Sequence, residues 1–146
     1  MRVAHLISNY KFTGPVDPAL LLAEAVVRTG KVELRIGLGK GRSGRAVARE
    51  KARARGLCLA GEELKLRKHS HLILNLLDIF KLRRLCRSFV PHIIHTHLGN
   101  DLRLALRAWR GIFVHSLYGA SLAEVPGWVV RQARKRVISF LVHSRG

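Results

Sequence analysis

Apolar positions near the start of the chain follow two periods, which predict a strand, a helix and a second strand. Residues 2–8 are predicted to form a strand that is apolar and β-branched enough to lie in the centre of a sheet. Asp17 and Pro18 are predicted to open a helix whose apolar spacing of 3.6 residues runs up to Gly30. Residues 32–38 then alternate as a strand. This order predicts a right-handed βαβ unit.

The central pattern is a short apolar strand that follows Pro91 and runs into polar residues. Ile93 and Ile94 begin this strand, and Gly99 turns the chain. Asp101 is predicted to be the N-cap of the helix that follows. Ligands of open α/β sheets bind beyond the carboxyl ends of the strands, so the polar residues after Ile94 are predicted to stand at the mouth of a cleft. These residues are His95, Thr96 and His97.

The rest of the chain completes an α/β pattern of about six strands flanked by helices. At 146 residues it is predicted to form one domain, 1–146, that is large enough to bury a core. The remaining predicted elements are a helix at 45–55, a short strand at 57–60, a helix at 72–89, a strand at 111–117, a short helix after Pro126 and a last strand at 137–142.

The net charge of the chain indicates the class of partner that it binds. The chain has 27 Lys and Arg against 9 Asp and Glu, a formal net charge of +18. This balance indicates an anionic partner, whether nucleic acid, anionic lipid or a phosphorylated ligand. Aromatic residues are only 6% and do not interleave with the basic runs, so a stacking platform for nucleic acid is disfavoured.

Two predicted helices concentrate the basic residues. In the helix at 45–55, Arg45, Arg49 and Arg53 share one face, which is either solvated or anion-binding. The helix at 72–89 has basic residues on its polar side. We predict that its apolar face packs on the sheet, with contact to an anionic membrane surface as a secondary use.

A glycine-rich basic loop at 39–44 lacks the Lys-Ser or Lys-Thr pair of a Walker phosphate loop, and we interpret it as a solvated loop. His95 and His97 face the same side of their strand, as a metal pair would. His5 and His115 could join them only if their strands are neighbours. Because nearby carboxylates are scarce, we predict no metal and no cofactor.

The compartment is predicted from cysteines and from the first residues. Cys58 and Cys86 lie in apolar sequence without paired spacing, which fits a reducing interior. The first residues lack signal-peptide architecture, and no apolar run approaches the roughly 20 residues that span a bilayer. We predict a cytoplasmic protein, peripheral to the inner face of the membrane.

The order of these patterns resembles the amino-terminal domain of GT-B glycosyltransferases, and the nearest branch is the retaining family 4. Residues 89–98 carry most of the likeness, with His92 where the family usually has Asp ahead of the histidines. Three further stretches match in order: the first strand with its Thr13-Gly14 loop, Lys68-His69-Ser70 ahead of 76–79, and 98–101. The resemblance spans all 146 residues and implies a Rossmann-like parallel sheet, the amino-terminal half of a GT-B fold.

The resemblance also implies substrates and the residues that bind them. In that family this domain mostly holds the acceptor and helps to position the donor phosphates, so a nucleotide-sugar donor and a saccharide or lipid acceptor are implied. The implied substrate-binding residues are Thr13, Gly14, His95, His97, Asn100, Asp101, Tyr118 and Gly119. No catalytic residue is assigned. Pro15 stands where the family commonly has a second glycine, and Tyr118 where it has an active-site histidine.

The family's second domain, which binds the nucleotide sugar, has no counterpart in these residues. We therefore expect a fragment, a split half completed by a second chain, or a degenerate relic, and no activity of the chain alone. The alternative is a basic protein that binds nucleic acid or an anionic membrane without catalysis. Steep weakening of binding by salt would indicate nucleic acid.

Overall fold

The structure is a computed structural model that describes residues 1–12, 14–40, 47–60, 64–66, 72–118, 127–128, 131 and 138–143. Its strands are β1 (Arg2–Ile7), β2 (Glu33–Leu38), β3 (Ile93–Thr96), β4 (Ile112–Tyr118) and β5 (Ile138–His143). Its helices are α1 (Val16–Arg28), α2 (Val47–Ala54), α3 (Leu72–Phe89) and α4 (Gly99–Ala108).

The described strands form one parallel sheet in the order β2-β1-β3-β4-β5. The predicted α/β class and the parallel sheet are confirmed. The described residues supply five strands where about six were expected. The difference lies at 57–60, which makes one isolated parallel bridge from Leu59 to Ile36 and no strand.

Two apolar cores cover the sheet. The first combines α3 and α4 with side chains such as Leu6, Ile94 and Phe113. The second combines α1 and α2 with residues that include Ile7 and Ile36. Alternate residues of a strand point to opposite faces, so Leu6 and Ile7 belong to different cores.

The start of α1 differs from its prediction. The helix begins at Val16 after Pro15, and Asp17 lies inside the first turn, so Asp17 is not the N-cap. Its carboxylate instead pairs with the guanidinium of Arg55 at 2.8 Å. Gly30 follows the helix with φ +67°, a left-handed conformation that favours glycine, which confirms the predicted stop.

The arginine face of α2 also differs from its prediction. Arg49 is buried, and its Nη2 donates hydrogen bonds to the carbonyls of Leu38 at 2.8 Å and Leu64 at 2.6 Å. It therefore ties α2 to β2 and to the segment at 64–66. Arg53 is exposed, and Arg45 lies outside the described residues. The prediction of a guanidinium face on this helix is therefore wrong at its central residue, Arg49.

Helix α3 begins and ends where the sequence predicts, but only part of its apolar side packs on the sheet. Its buried residues are Asp78, Ile79, Leu82, Leu85, Cys86 and Phe89. Its exposed apolar residues are Leu72, Ile73, Leu76, Leu77 and Phe80, at 48% to 78% exposure. The first half of α3 thus leaves an apolar face in solvent. Cys58 is likewise exposed, whereas Cys86 is in the core.

None of the helices in the described part of the chain is both long enough and apolar enough to cross a membrane.

Candidate functional site

The sheet reverses its direction of growth between β1 and β3, and the site lies where these neighbours end. From β1 the chain moves outward to β2, then returns to add β3 on the other side of β1. The helices that follow β1 and β3 pack into different cores on opposite faces of the sheet, and at such a point an open α/β sheet has its ligand crevice, beyond the carboxyl ends of the strands. The loop after Ile7 and the segment after Thr96 lie on either side of this point.

A buried polar chain crosses the middle of the sheet beneath the crevice. His5 on β1 pairs in register with His95 on β3. His95 Nδ1 lies 3.2 Å from His5 Nε2, and His95 Nε2 lies 2.8 Å from the hydroxyl of Ser116 on β4. Central parallel strands are usually apolar on both faces, so a hydrogen-bonded polar chain here is a specific feature of this sheet.

His97 continues the chain toward the open edge. Its ring centroid lies 4.2 Å from that of His95, and its Nδ1 lies 2.6 Å from the hydroxyl of Tyr118. Tyr118 is the last residue of β4 and is half-buried. His97 and Tyr118 therefore meet at one edge of the sheet, because both β3 and β4 end there.

His115 belongs to the opposite face of the sheet. It pairs in register with Thr96, and its Nδ1 lies 2.8 Å from the Thr96 hydroxyl. Of the two histidines that could have joined His95 and His97, the fold therefore supplies His5 and directs His115 away.

His5 and His115, which lie on opposite faces of the sheet, have pKa values below that of a free histidine. Burial, followed by the nearby charge of His95, holds the pKa of His5 well below 6.5. Burial lowers the pKa of His115 to about 4, although a hydrogen bond to the backbone of Thr96 raises it in part. Both imidazoles are therefore neutral at pH 7.

Asp101 closes the turn after β3, in a different position from the predicted N-cap. Helix α4 begins at Gly99, so Asp101 is the third residue of the helix and Leu98 is the N-cap. The carboxylate accepts a hydrogen bond from the Leu98 amide at 3.0 Å. Burial raises the pKa of Asp101 to about 7, against hydrogen bonds from Ser8, Leu98 and His97 that lower it.

The remaining predicted substrate-binding residues are placed as follows. Asn100 is buried, and its side chain exchanges hydrogen bonds with that of Asn75 at 3.4–3.5 Å. Gly14 is exposed in the loop between β1 and α1, with φ +59°. Thr13 and Gly119 lie outside the described residues.

Gly39 has a packing reason that the sequence did not reveal. A Cβ at this position would lie 2.7 Å from the carbonyl oxygen of Leu66 and 2.9 Å from the backbone nitrogen of Asn9. Glycine is therefore required where the end of β2 passes two other backbone segments. Residues 41–44 of the glycine-rich loop lie outside the described part of the chain.

Two members of the site were not assigned from the sequence. His5 was considered only on condition that β1 and β3 are neighbours, and Ser116 was given no role. The sequence does contain a signal for both residues. In each of their strands a polar residue interrupts a run of apolar residues, and it lies on the face that His95 occupies. Strand order decides whether such residues meet.

The three buried histidines are close enough to share a ligand. His5, His95 and His97 each offer a ring nitrogen, and these nitrogens lie within 4.8 Å of one another. Neutral imidazoles can bind a transition metal, pass protons or accept hydrogen bonds. The outer half of the site, where Tyr118 is half-exposed, offers a phenol that can hydrogen-bond a hydroxyl of a ligand in the crevice.

Comparisons with known proteins support the fold. No protein-family model and no curated protein sequence matches the chain. A crystal structure of MurG from Acinetobacter baumannii superposes on 95% of this chain with a TM-score of 0.66 and 14% identity. The calicheamicin glycosyltransferase CalG4 is similar over 91% of the chain, with a TM-score of 0.48 and 13% identity. The chain spans 40% of the MurG chain and 37% of the CalG4 chain. By its likeness to MurG, the chain has the Rossmann-like α/β fold of the amino-terminal half of a GT-B fold.

Proposed function

We propose that the chain is the acceptor-side domain of a glycosyltransferase that transfers a sugar from a nucleotide-sugar donor to a saccharide or lipid acceptor. One observation carries the proposal: a hydrogen-bonded polar pair, His97 and Tyr118, lies at the carboxyl edge of a GT-B-type sheet. In open parallel sheets this edge is where ligands bind.

The two sides of the crevice bind different substrates. The loop after β1, which contains Thr13 and Gly14, faces the donor phosphates. The segment after β3, with His97, Asn100 and Asp101, faces the acceptor. His95 and His97, like Asn100 and Asp101, are at most 8% exposed, so they act by holding the loops and the Tyr118 hydroxyl in position and not by broad contact with a ligand. Tyr118, with Gly119 beside it, offers a hydroxyl to the acceptor.

Sugar transfer further requires that charge on the leaving phosphate be stabilised opposite a positioned acceptor. Asp101, the carboxylate nearest to the site in sequence, is engaged with the Leu98 amide. The chain also spans only 40% of the MurG chain. We therefore propose that a donor-binding domain, supplied by a further segment or a second chain, completes the enzyme and that these residues alone do not turn over a nucleotide sugar.

The experiment is an assay of the purified 146-residue chain with UDP-, GDP- and ADP-sugars and with saccharide and lipid acceptors. We expect no transfer or hydrolysis, but acceptor binding that shifts the NMR signals of Tyr118 and His97. Tyr118→Phe should weaken this acceptor binding, whereas Tyr10→Phe, in the loop on the donor side, should not. Turnover by the chain alone would contradict the need for a second domain. Binding to nucleic acid with steep salt dependence, and to no acceptor, would favour the basic binding protein instead.

The exposed face of α3 supports a membrane surface as the place where the acceptor is met. Leu72, Leu76 and Phe80 follow one another along this face, and Arg83 and Arg87 continue it toward the end of the helix. Apolar side chains can enter the headgroup region while the arginines contact anionic lipid, at about 1 kcal/mol for each basic residue. The net charge of +18 acts in the same direction.

Co-sedimentation with vesicles tests the membrane surface. We expect binding to vesicles that contain phosphatidylglycerol and little binding to neutral phosphatidylcholine vesicles. Phe80→Ser should weaken binding because it removes an apolar side chain that enters the headgroup region, and Arg87→Gln because it removes a charge that contacts anionic lipid. Arg53→Gln on α2, away from this face, should leave binding unchanged. Equal sedimentation with both vesicle types would contradict this part of the proposal.

A further inference from the structure

We infer that His5, His95 and His97 form a transition-metal site that takes Zn²⁺ once the ring of His97 moves closer to the other two. Nitrogen atoms of the three rings lie within 4.8 Å of one another, and all three side chains are at most 4% exposed. The inference does not depend on the proposed function, because it concerns metal binding by this domain alone.

The spacing of the first two ligands already suits a tetrahedral ion. His95 Nδ1 and His5 Nε2 lie 3.2 Å apart. Two nitrogens bound to one Zn²⁺ at about 2.0 Å in tetrahedral geometry are separated by about 3.3 Å. The ion therefore replaces the contact between these two rings with only a small change in their separation.

Hydroxyl groups hold the opposite nitrogens of two of the rings. Ser116 lies 2.8 Å from Nε2 of His95, which directs Nδ1 of that ring toward His5. Tyr118 lies 2.6 Å from Nδ1 of His97, which makes Nε2 the nitrogen that faces the ion. Ligands of this kind usually carry such a partner on the second nitrogen, since it fixes both tautomer and ring orientation.

The ligand set also selects the class of metal. Three imidazoles suit Zn²⁺, Ni²⁺, Cu²⁺ or Co²⁺ and do not suit Mg²⁺ or Ca²⁺, which prefer oxygen. With three protein ligands, a tetrahedral ion has a fourth position for water or for an oxygen of a ligand in the crevice. The scarcity of carboxylates, which weighed against a metal in the sequence, does not matter once His5 supplies the third nitrogen.

The test uses the full chain without a histidine tag, stripped with EDTA and titrated with Co²⁺ and then Zn²⁺. We expect one equivalent of Co²⁺ to give the visible absorption of a low-coordinate site, Zn²⁺ to displace it, and Zn²⁺ to raise the Tm. His5→Gln and His97→Gln should each weaken binding at least about ten-fold. His92→Gln should not, because His92 is exposed at the other end of β3.

A second measurement covers the case in which a variant fails to fold. Long-range ¹H–¹⁵N correlation spectra of the wild-type imidazoles should move on Zn²⁺ addition at Nε2 of His5 and His97 and at Nδ1 of His95. Failure of the wild-type chain to take up one equivalent of Co²⁺ would overturn the inference. Uptake that leaves these three nitrogens unchanged, or that folded His5→Gln and His97→Gln retain in full, would also overturn it.

Discussion

The hydroxyl of Tyr118 lies 2.6 Å from Nδ1 of His97, and this contact joins the end of β4 to the turn after β3. The two rings are stacked, with centroids 5.9 Å apart. Burial raises the pKa of Tyr118, against a hydrogen bond to Ser116 that lowers it, so the phenol is neutral at pH 7. A neutral phenol can hydrogen-bond a sugar hydroxyl but is a poor general base.

A double-mutant cycle should reveal this contact as a coupling energy. Tyr118→Phe and His97→Gln each remove the hydrogen bond, so the double variant should lose less stability than the sum of the two, by about 1 kcal/mol. Urea unfolding monitored by circular dichroism measures the difference. Additive losses would show that the two side chains act independently, and Tyr10→Phe controls for loss of a phenol elsewhere.

Replacement of Arg49 should destabilise the fold, although an arginine on a helix usually tolerates substitution. Arg49→Met leaves the buried carbonyls of Leu38 and Leu64 without their charged donor, at a cost of about 2 kcal/mol or more in the free energy of unfolding. Exposed Arg53 is the matched control, and Arg53→Gln should change stability by no more than about 0.5 kcal/mol. Equal effects at the two positions in urea titrations would contradict the buried role of Arg49.

The buried carboxylate of Asp78 should prove essential to the segment at 64–66. It accepts hydrogen bonds from the amides of Lys65 and Leu66, both at 2.9 Å, and so ties this segment to α3. Asp78→Ala removes both acceptors and should cost about 2–4 kcal/mol. Asp78→Asn keeps one acceptor and should cost less. Thermal unfolding of the two variants measures this difference in stability. An Asn variant that is as unstable as the Ala variant would be inconsistent with this explanation.

His115 should make the free energy of unfolding depend on pH below pH 7. Its pKa is about 4 in the folded chain against 6.5 when free, so between these values the unfolded chain binds more protons. The contribution of His115, up to about 3 kcal/mol, is complete above pH 6.5 and is lost as the pH falls toward 4. Asp101, with a pKa of about 7, gives the opposite slope over the same range.

The informative quantity is therefore the difference between wild type and His115→Asn. Urea unfolding from pH 4 to pH 7 should show that the wild type gains more stability with rising pH than the variant does. Asn can keep a hydrogen bond to the Thr96 hydroxyl without titrating. Parallel curves for the two proteins would contradict the lowered pKa.

The sequence by itself determined the local elements of this protein and the edge of the sheet at which its polar residues gather. The bounds of α3 and the glycine stop after α1 followed from spacing along the chain, and so did the position of His97 beyond the apolar part of β3. Periodicity predicts these features because a helix turn or a strand alternation is set by residues only a few positions apart. The parallel order of strands then brings their carboxyl ends to one edge.

Only the tertiary structure decided which neighbours these elements acquire. It brought His5 beside His95 and sent His115 to the other face, because strand order and register are set by the packing of the whole sheet. It turned Arg49 inward, since Leu38 and Leu64 present carbonyls to a helix that the sequence would leave solvated. It also left Phe80 exposed, because α3 packs into the core through Ile79 and Leu82 and Phe80 lies on the other side of the helix. Contacts between residues far apart in the chain depend on the fold and cannot be read from local spacing.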